Sequence, residues 1–285
     1  MVLLVSVAAL SAWIYYKPKP GSTTHAVSSL KPAQVQQVRL EQAAKARATQ
    51  PPAATQPQSA QVTLVREGEV WRITSPFAAR ADVLQVERLL AVLEARASVR
   101  YPATDLARYG LDQPVATLTA DNQSFAFGAI NTTTREQYLL ADNAVYLVAV
   151  AYGAALPRSA DALLARQLLA PAEIPQRFDL PDFSVALEKG TWVVTPAVFD
   201  LSADERNEWV DAWRQASAMG VSRVEQPRST QDIRIALRDG RTLHLGIVKR
   251  EPDLVVVRLD EGVQYSFVPD VARRLLSPPT ARPSK

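Results

Sequence analysis

The sequence predicts an α+β fold: two tandem repeats, each a mainly antiparallel β-sheet with helices packed on one face, after an N-terminal membrane helix. Three observations predict it. Residues 116–130, ATLTADNQSFAFGAI, lie over residues 234–248, RIALRDGRTLHLGIV, at a constant offset of 118. Within the second stretch Ile233, Ile235 and Leu237 alternate with polar neighbours, as do Leu243, Leu245 and Ile247, which is the period of a strand with one buried and one wet face. Residues 2–16, VLLVSVAALSAWIYY, carry no charge at all.

That uncharged segment ends in Trp13, Tyr15 and Tyr16 before KPKP, and aromatic rings favour the membrane interface. As a helix rising ~1.5 Å per residue it spans less than the ~30 Å hydrocarbon core. A secretory signal peptide would want a basic start and a small-x-small cleavage site, and neither is clear. The reading that fits is a membrane anchor over 1–16 whose first residues lie upstream of this start, followed by a tether over 17–29. Lys17 and Lys19 follow the segment and nothing basic precedes it. Taken literally, the positive-inside rule puts the body in the cytoplasm, and basic residues further upstream would reverse the sign.

The first repeat module covers 30–168. Its stretch 42–60, QAAKARATQPPAATQPQSA with its flanks, is poor in large apolar residues and reads as a low-complexity insertion between two strands. VTLVREGEVWRITSP (62–76) reads as a hairpin turning at GEV, with Trp71 and Pro76 closing it. In 82–97, Val83, Val86, Leu90, Leu93 and Ala97 fall on one helical stripe. TDLARYGLDQP (104–114) reads as a short helical turn containing Tyr109, closed by Gly110 in the left-handed conformation with Leu111 packing back.

The second module covers 169–278, with a disordered tail over 279–285. LAPAEIPQRFDL (169–180) matches LKPAQVQQVRL (30–40), and FSVALEKGTWVVTP (183–196) matches the first hairpin, pairing Trp192 with Trp71 and Pro196 with Pro76. Over 203–219, Trp209, Ala212, Trp213 and Ala216 form a helical stripe, and Ser202 with Glu205 forms a capping box at its start. Asp239-Gly240 reads as a two-residue type I′ turn with positive φ at both centres. Val255, Val257 and Leu259 continue the buried alternation, and Gly246 matches Gly128. Leucine-rich segments, 162–169 and 271–276, end the two modules.

The charge pattern excludes a nucleic-acid reader. Residues 17–60 carry six basic side chains against Glu41 alone, more than the whole chain's net charge of +3, so the folded body is not basic. The basic stretch reads as a solvated linker that could also meet anionic headgroups. With no cysteine, disulfides and zinc–thiolate sites are impossible. His25 falls in the tether and His244 on the wet side of its strand, without further metal ligands at useful spacing. No nucleophile elbow or phosphate-binding glycine loop occurs. Asp204, Glu208 and Asp211 read as a wet helix face, Asn122 and Asn131 as turn residues, and Trp71, Trp192, Trp209 and Trp213 as core. No catalytic, cofactor or metal residue is expected. The residues singled out are structural: Trp71, Pro76, Tyr109, Gly110, Leu111, Gly128, Trp192, Pro196, Asp239, Gly240 and Gly246.

The combination of LKPAQVQQVRL, a hairpin ending in W-x-[IV]-T-x-P, a helix begun by Ala81-Asp82, YGLDQP, and strands ending at FGAI and QYLLA resembles the family called domain of unknown function 4340. The likeness covers roughly 30–278. The second copy departs from it by lacking the Tyr-Gly-Leu element and by a shorter 249–270 region. The resemblance implies a single-pass bacterial inner-membrane protein with its body in the periplasm, encoded beside ABC transporter components of the gliding-motility type. It supplies no catalytic residues. The expected role is therefore a membrane-anchored periplasmic accessory or interaction protein, not an enzyme, associated with an ABC-type transporter. The alternative is a periplasmic ligand-binding module with a cleft between the two repeats.

Overall fold

Two-residue turns and short loops between alternating strands leave the chain little choice but antiparallel pairing. In the computed structural model, which describes residues 24–43, 60–197 and 201–279, nearly all strands pair this way. The expected anchor at 2–16 and most of the stretch 42–60 lie outside the described residues. Among the described residues, no helix is long and apolar enough to cross a membrane.

The N-terminal strands are β1 (His25–Ala26), β2 (Gln37–Gln42), β3 (Ala60–Glu67), β4 (Val70–Ser75), β5 (Ala79–Arg80), β6 (Arg96–Ala97), β7 (Arg100–Pro102), β8 (Ala116–Ala120), β9 (Gln123–Ile130), β10 (Glu136–Ala141) and β11 (Ala144–Ala149). The later strands are β12 (Pro175–Asp179), β13 (Ser184–Glu188), β14 (Thr191–Thr195), β15 (Gly220–Arg223), β16 (Gln231–Leu237), β17 (Thr242–Lys249), β18 (Leu254–Arg258) and β19 (Val263–Phe267). A nine-stranded sheet runs β5-β4-β3-β2-β8-β9-β10-β11-β7 and an eight-stranded sheet runs β14-β13-β12-β16-β17-β18-β19-β15. β1 pairs with β6, so the chain is already packed at His25, with Val27 buried, inside the stretch expected as tether.

By compactness the chain divides into two units. One holds residues up to Val35, Glu41–Ser59 and Arg88–Leu156; the other holds Gln36–Leu40, Ala60–Glu87 and Pro157–Lys285. This division differs from a boundary at 168/169: residues 60–87, expected in the first module, fall with the second.

Local chemistry explains most elements. The β3–β4 hairpin turns at Gly68-Glu69, with Gly68 at positive φ and Glu67 paired with Val70, and the β13–β14 hairpin turns at Lys189-Gly190, each of those two residues at positive φ. Asp239-Gly240 corrects the type I′ expectation. Only Gly240 has positive φ, at 87°, and the loop is three residues long: Gly240 N–H donates to the Leu237 carbonyl, and Leu237 N–H to the Arg241 carbonyl. This is a type I turn completed by a left-handed glycine, with the Asp239 carboxylate accepting from the Arg241 N–H at 3.0 Å. The type I′ geometry occurs instead at Asp142-Asn143, with φ of 47° and 55°, between β10 and β11. Asn131 caps its own turn, its side-chain oxygen accepting from the Thr133 and Thr134 N–H groups.

The helices are shorter than expected. α1 (Val83–Leu90) passes into a 3-10 turn ending at Glu94. Val86, Leu90 and Leu93 are buried as the stripe predicts, but Val83 is exposed in the first turn and Ala97 belongs to β6. A single turn, α2 (Ala151–Ala154), follows β11. α3 (Ala203–Arg214) starts at the expected capping box, Ser202 Oγ accepting from Glu205 N–H and Glu205 Oε2 from Ser202 N–H, with Asp204, Glu208 and Asp211 on the wet side. Trp209, Trp213 and Ala216 are buried. Phe178 of β12 meets Trp209 edge-on at 5.0 Å and Trp213 at 5.5 Å. The two indole N–H groups donate to the Ser277 and Leu275 carbonyls at the end of α4 (Pro269–Leu276). Residues 162–169, the other leucine-rich segment, form no α-helix: a 3-10 turn, Ala160–Leu163, ends at their start. They run extended, bridging Ala81 through Leu164 and Ser217 through Gln167.

Trp71 is buried and Trp192 half-buried, at matching places in their hairpins opposite Arg66 and Leu187. Pro76 and Pro196 both follow a cis peptide bond. Tyr109, Gly110, Leu111 and Gly128 come together. The turn Leu106–Tyr109 closes at Gly110, φ 64°, and the Leu111 side chain packs back, buried. A side chain at Gly128 would place Cβ 2.5 Å from the Tyr109 carbonyl oxygen. Tyr109 also stacks on Tyr101 at 5.8 Å and meets Tyr138 at 4.9 Å. Gly128→Ala is expected to lift this element off the sheet and lower stability by about 1–3 kcal/mol, measured by chemical denaturation. At Gly246 the equivalent space is filled by the Ser229 side chain.

Candidate functional site: a buried arginine–carboxylate cluster

A charged group leaves water only when its hydrogen bonds and its charge are both met elsewhere. Arg80, Glu173, Arg258 and Glu261 are all buried, together with Tyr265, within the second compact unit. Arg80 comes from β5, Glu173 from the loop before β12, Arg258 from the end of β18, Glu261 from the turn after it, and Tyr265 from β19.

Arg258 is 1% exposed and its side-chain bonds use all five N–H donors. Nη1 reaches Glu173 Oε2 at 2.8 Å and the Leu168 carbonyl at 2.9 Å. Nη2 reaches Glu173 Oε1 at 2.6 Å and Asp260 Oδ2 at 2.9 Å, and Nε reaches Asp260 Oδ1 at 3.0 Å. Arg80 Nε donates to Glu261 Oε1 at 2.7 Å, and Nη2 donates to Leu168 O at 3.1 Å and Tyr265 Oη at 3.0 Å. The Tyr265 hydroxyl donates in turn to Glu261 Oε2 at 3.3 Å. Glu173 also accepts the Ala170 N–H at 2.7 Å. Among the described residues, every buried side-chain nitrogen and oxygen has a partner.

The backbone brings Arg80 there. The Ala81 N–H donates to the Trp71 carbonyl and the Ala165 N–H to the Arg80 carbonyl, so β5 is held between β4 and the extended segment after Pro157. Leu168 N–H donates in turn to the Ala216 carbonyl, which fixes the carbonyl that both arginines share.

Electrostatically the cluster is locked. Burial alone would raise the Glu173 carboxyl, but hydrogen bonds and attraction from Arg258, the Ala170 N–H and the Arg80 charge outweigh it and hold the group below the usual 4.5. Asp260 is lowered in the same way, burial opposing and Arg258 prevailing. Burial would lower the Arg258 guanidinium, and its bonds to Glu173 and Asp260 raise it instead. Burial pushes the Tyr265 hydroxyl up to about 12. A general acid needs a carboxyl raised toward neutrality. Glu173 and Asp260 move the other way, which suits a clamp between chain segments.

The pH dependence follows. Glu173 and Asp260 are depressed on folding, so their contribution is full above about 4.5 and is lost as pH falls through their lower folded values. Tyr265 is raised, so its contribution is full below 10.0 and is lost as pH rises toward about 12, by about 3 kcal/mol. Denaturation midpoints measured across pH should therefore show a plateau between these limits. Tyr265→Phe should remove most of the alkaline loss.

None of the residues singled out in the sequence lies in this cluster. Arg258 carries a usable signal: Leu254, Val256 and Arg258 share one strand face, opposite the 255, 257 and 259 expected to be buried. The structure buries Leu254, Val256 and Arg258, buries Val257 against Gly246, and exposes Leu259. Arg80, in FAAR, carried no signal. His244 is exposed, as expected, and among the described residues no group of His, Cys, Asp or Glu could hold a metal ion.

Two antiparallel sheets, a tryptophan-lined helix contact and a fully bonded charge cluster define a β-rich protein whose buried polar residues hold it together. The family model described as "Domain of unknown function (DUF4340)" matches residues 71–240, and the chain belongs to that family. No curated protein and no solved structure matches the chain.

Proposed function

We propose that this chain is a membrane-anchored periplasmic accessory protein, held by residues 2–16 in a bacterial inner membrane, that acts by binding a membrane complex. An ABC-type transporter is the class of partner the family likeness implies. The observation that carries the non-catalytic part of this reading is the buried cluster. The place in the second unit where Arg80, Arg258, Glu173, Asp260 and Glu261 converge is spent on mutual bonds, and Glu173 and Asp260 are held below the usual carboxylate range. Arg80, from the expected first module, meets residues of the second in that packed network, and this counts against a ligand cleft at that meeting place.

We further infer that the body arose as two copies of one sheet-bearing unit. The series β4-β3-β2-β8-β9-β10-β11-β7 and β14-β13-β12-β16-β17-β18-β19-β15 run in the same order. Phe127 pairs with Leu139 as Leu245, at the matching sequence position, pairs with Arg258.

A C-terminal reporter active only outside the cytoplasm, combined with crosslinking and pull-down from membranes, tests the functional reading. Reporter activity and repeated recovery of a transporter subunit are expected. A reporter active only in the cytoplasm, or membranes that return no partner complex, would remove it.

A further inference from the structure

The loop KPAQ (31–34) and its counterpart APAE (170–173) make the same local bond. Lys31 N–H donates to Gln34 Oε1 at 3.3 Å, and Ala170 N–H donates to Glu173 Oε2 at 2.7 Å. In the eight-stranded sheet this loop, with Asp260 at the tip of the β18–β19 connection, grips the Arg258 guanidinium. In the first compact unit the loop faces the tip of the β10–β11 hairpin, where Asp142 accepts from Gln123 Nε2 at 2.7 Å. Ser28 Oγ bonds Gln123 Oε1 and accepts the Leu30 N–H at 2.9 Å, which fixes the rest of the wall. Here the strand position of Arg258 is taken by Leu139, buried in the core, so this strand position brings no guanidinium. What remains is an open polar pocket of ≈ 500 Å³ lined by Ser29, Leu30, Gln34, Asn122, Gln123 and Asp142.

We propose that this pocket is a socket for an arginine side chain presented by another polypeptide, received as Arg258 is received by Glu173 and Asp260. The donor set fits that chemistry. The Asp142 carboxylate supplies charge and two acceptor oxygens, and the Gln34 amide oxygen stands where Glu173 supplies the second acceptor. A guanidinium, planar with five N–H donors, can reach both at once, whereas an ammonium is a point charge that cannot bridge them in one plane. The socket rests on the duplication inferred above.

Amide shifts of the full-length chain, titrated with N-acetyl-arginine amide, test it. Saturable shifts at Leu30, Gln34, Gln123 and Asp142 are expected, with the uncharged citrulline analogue and the Asp142→Asn variant each weaker by about tenfold. No saturable shift, or equal binding of arginine and citrulline probes, would overturn the socket. Failure of the duplication reads out separately in the double variant Leu139→Arg/Gln34→Glu. If the sheets are copies, this variant folds, its new arginine fills the pocket, and the probe no longer binds. If they are not, the variant loses its cooperative unfolding transition while Asp142→Asn still reports on the socket alone.

Discussion

Arg258→Ala is expected to lower the unfolding free energy by about 3–5 kcal/mol, read from urea or guanidinium midpoints at neutral pH. The size comes from what the truncation leaves behind. Glu173 loses both strong partners on its two oxygens, keeping the Ala170 N–H and a more distant Arg80 whose Nη1 lies 3.9 Å away. Asp260 is partly exposed, so water replaces its lost bonds and it adds little. The Leu168 carbonyl keeps Arg80. The penalty is therefore mainly that of one buried, underpaired carboxylate. Two controls separate this from packing loss. Glu173→Gln in the Arg258→Ala background should recover part of the deficit, because it removes the stranded charge. Replacing Arg258 and Glu173 together by Met and Leu should recover more. A loss under about 1 kcal/mol for Arg258→Ala would mean that the cluster is wetter than its burial implies.

Trp213→Ala should lose about 3–5 kcal/mol as well, for a different reason. The indole is fully buried and packs on Phe178 of β12 and on Trp209 of the same helix, with ring centroids 5.5 and 6.0 Å away. Its truncation leaves a cavity that β12, paired on both sides by β13 and β16, cannot collapse to fill. It also strands the Leu275 carbonyl, which receives the indole N–H at 3.2 Å. Hydrogen exchange should therefore show α4 losing protection beyond the global change. Trp213→Phe keeps most of the volume but not the N–H, so it should retain most of the stability and still loosen α4. Unchanged protection of α4 in Trp213→Phe would contradict the role given to that bond.

The parts of the fold that were legible share one cause, local periodicity. Ile233, Ile235, Leu237 and Leu243, Leu245, Ile247 alternate cleanly, and all six are buried. The capping box at Ser202 and the closure at Gly110 are determined by a few neighbouring residues, and both occur as expected. At Asp239-Gly240 the dipeptide marked the hairpin but not its loop length, because closure at Leu237 and Arg241 is decided by strand register. In 254–259, LVVVRL, apolar residues occupy both faces and alternation carries no phase. The wrong phase then hid Arg258, since an arginine between valine and leucine reads as a wet residue.

The cluster was illegible for a broader reason. Arg80 lies 93 residues from Glu173 and 181 from Glu261. No local pattern announces a pairing across such separations. The repeat gives no warning either, since LAPAE lies over LKPAQ and places Glu173 opposite the neutral Gln34. Residues 79–87 were assigned to the first module on sequence order, whereas β5 is bonded on one side to the segment after Pro157 and its arginine is buried among residues of the second.

The clamp formed by Arg80 is the central claim, and a double-mutant cycle between Arg80→Met and Glu261→Leu tests it most directly. The account predicts that the two substitutions are strongly non-additive, with a coupling of about 2–3 kcal/mol. Effects that add within about 0.5 kcal/mol would show that the two side chains do not hold β5 to the turn after β18.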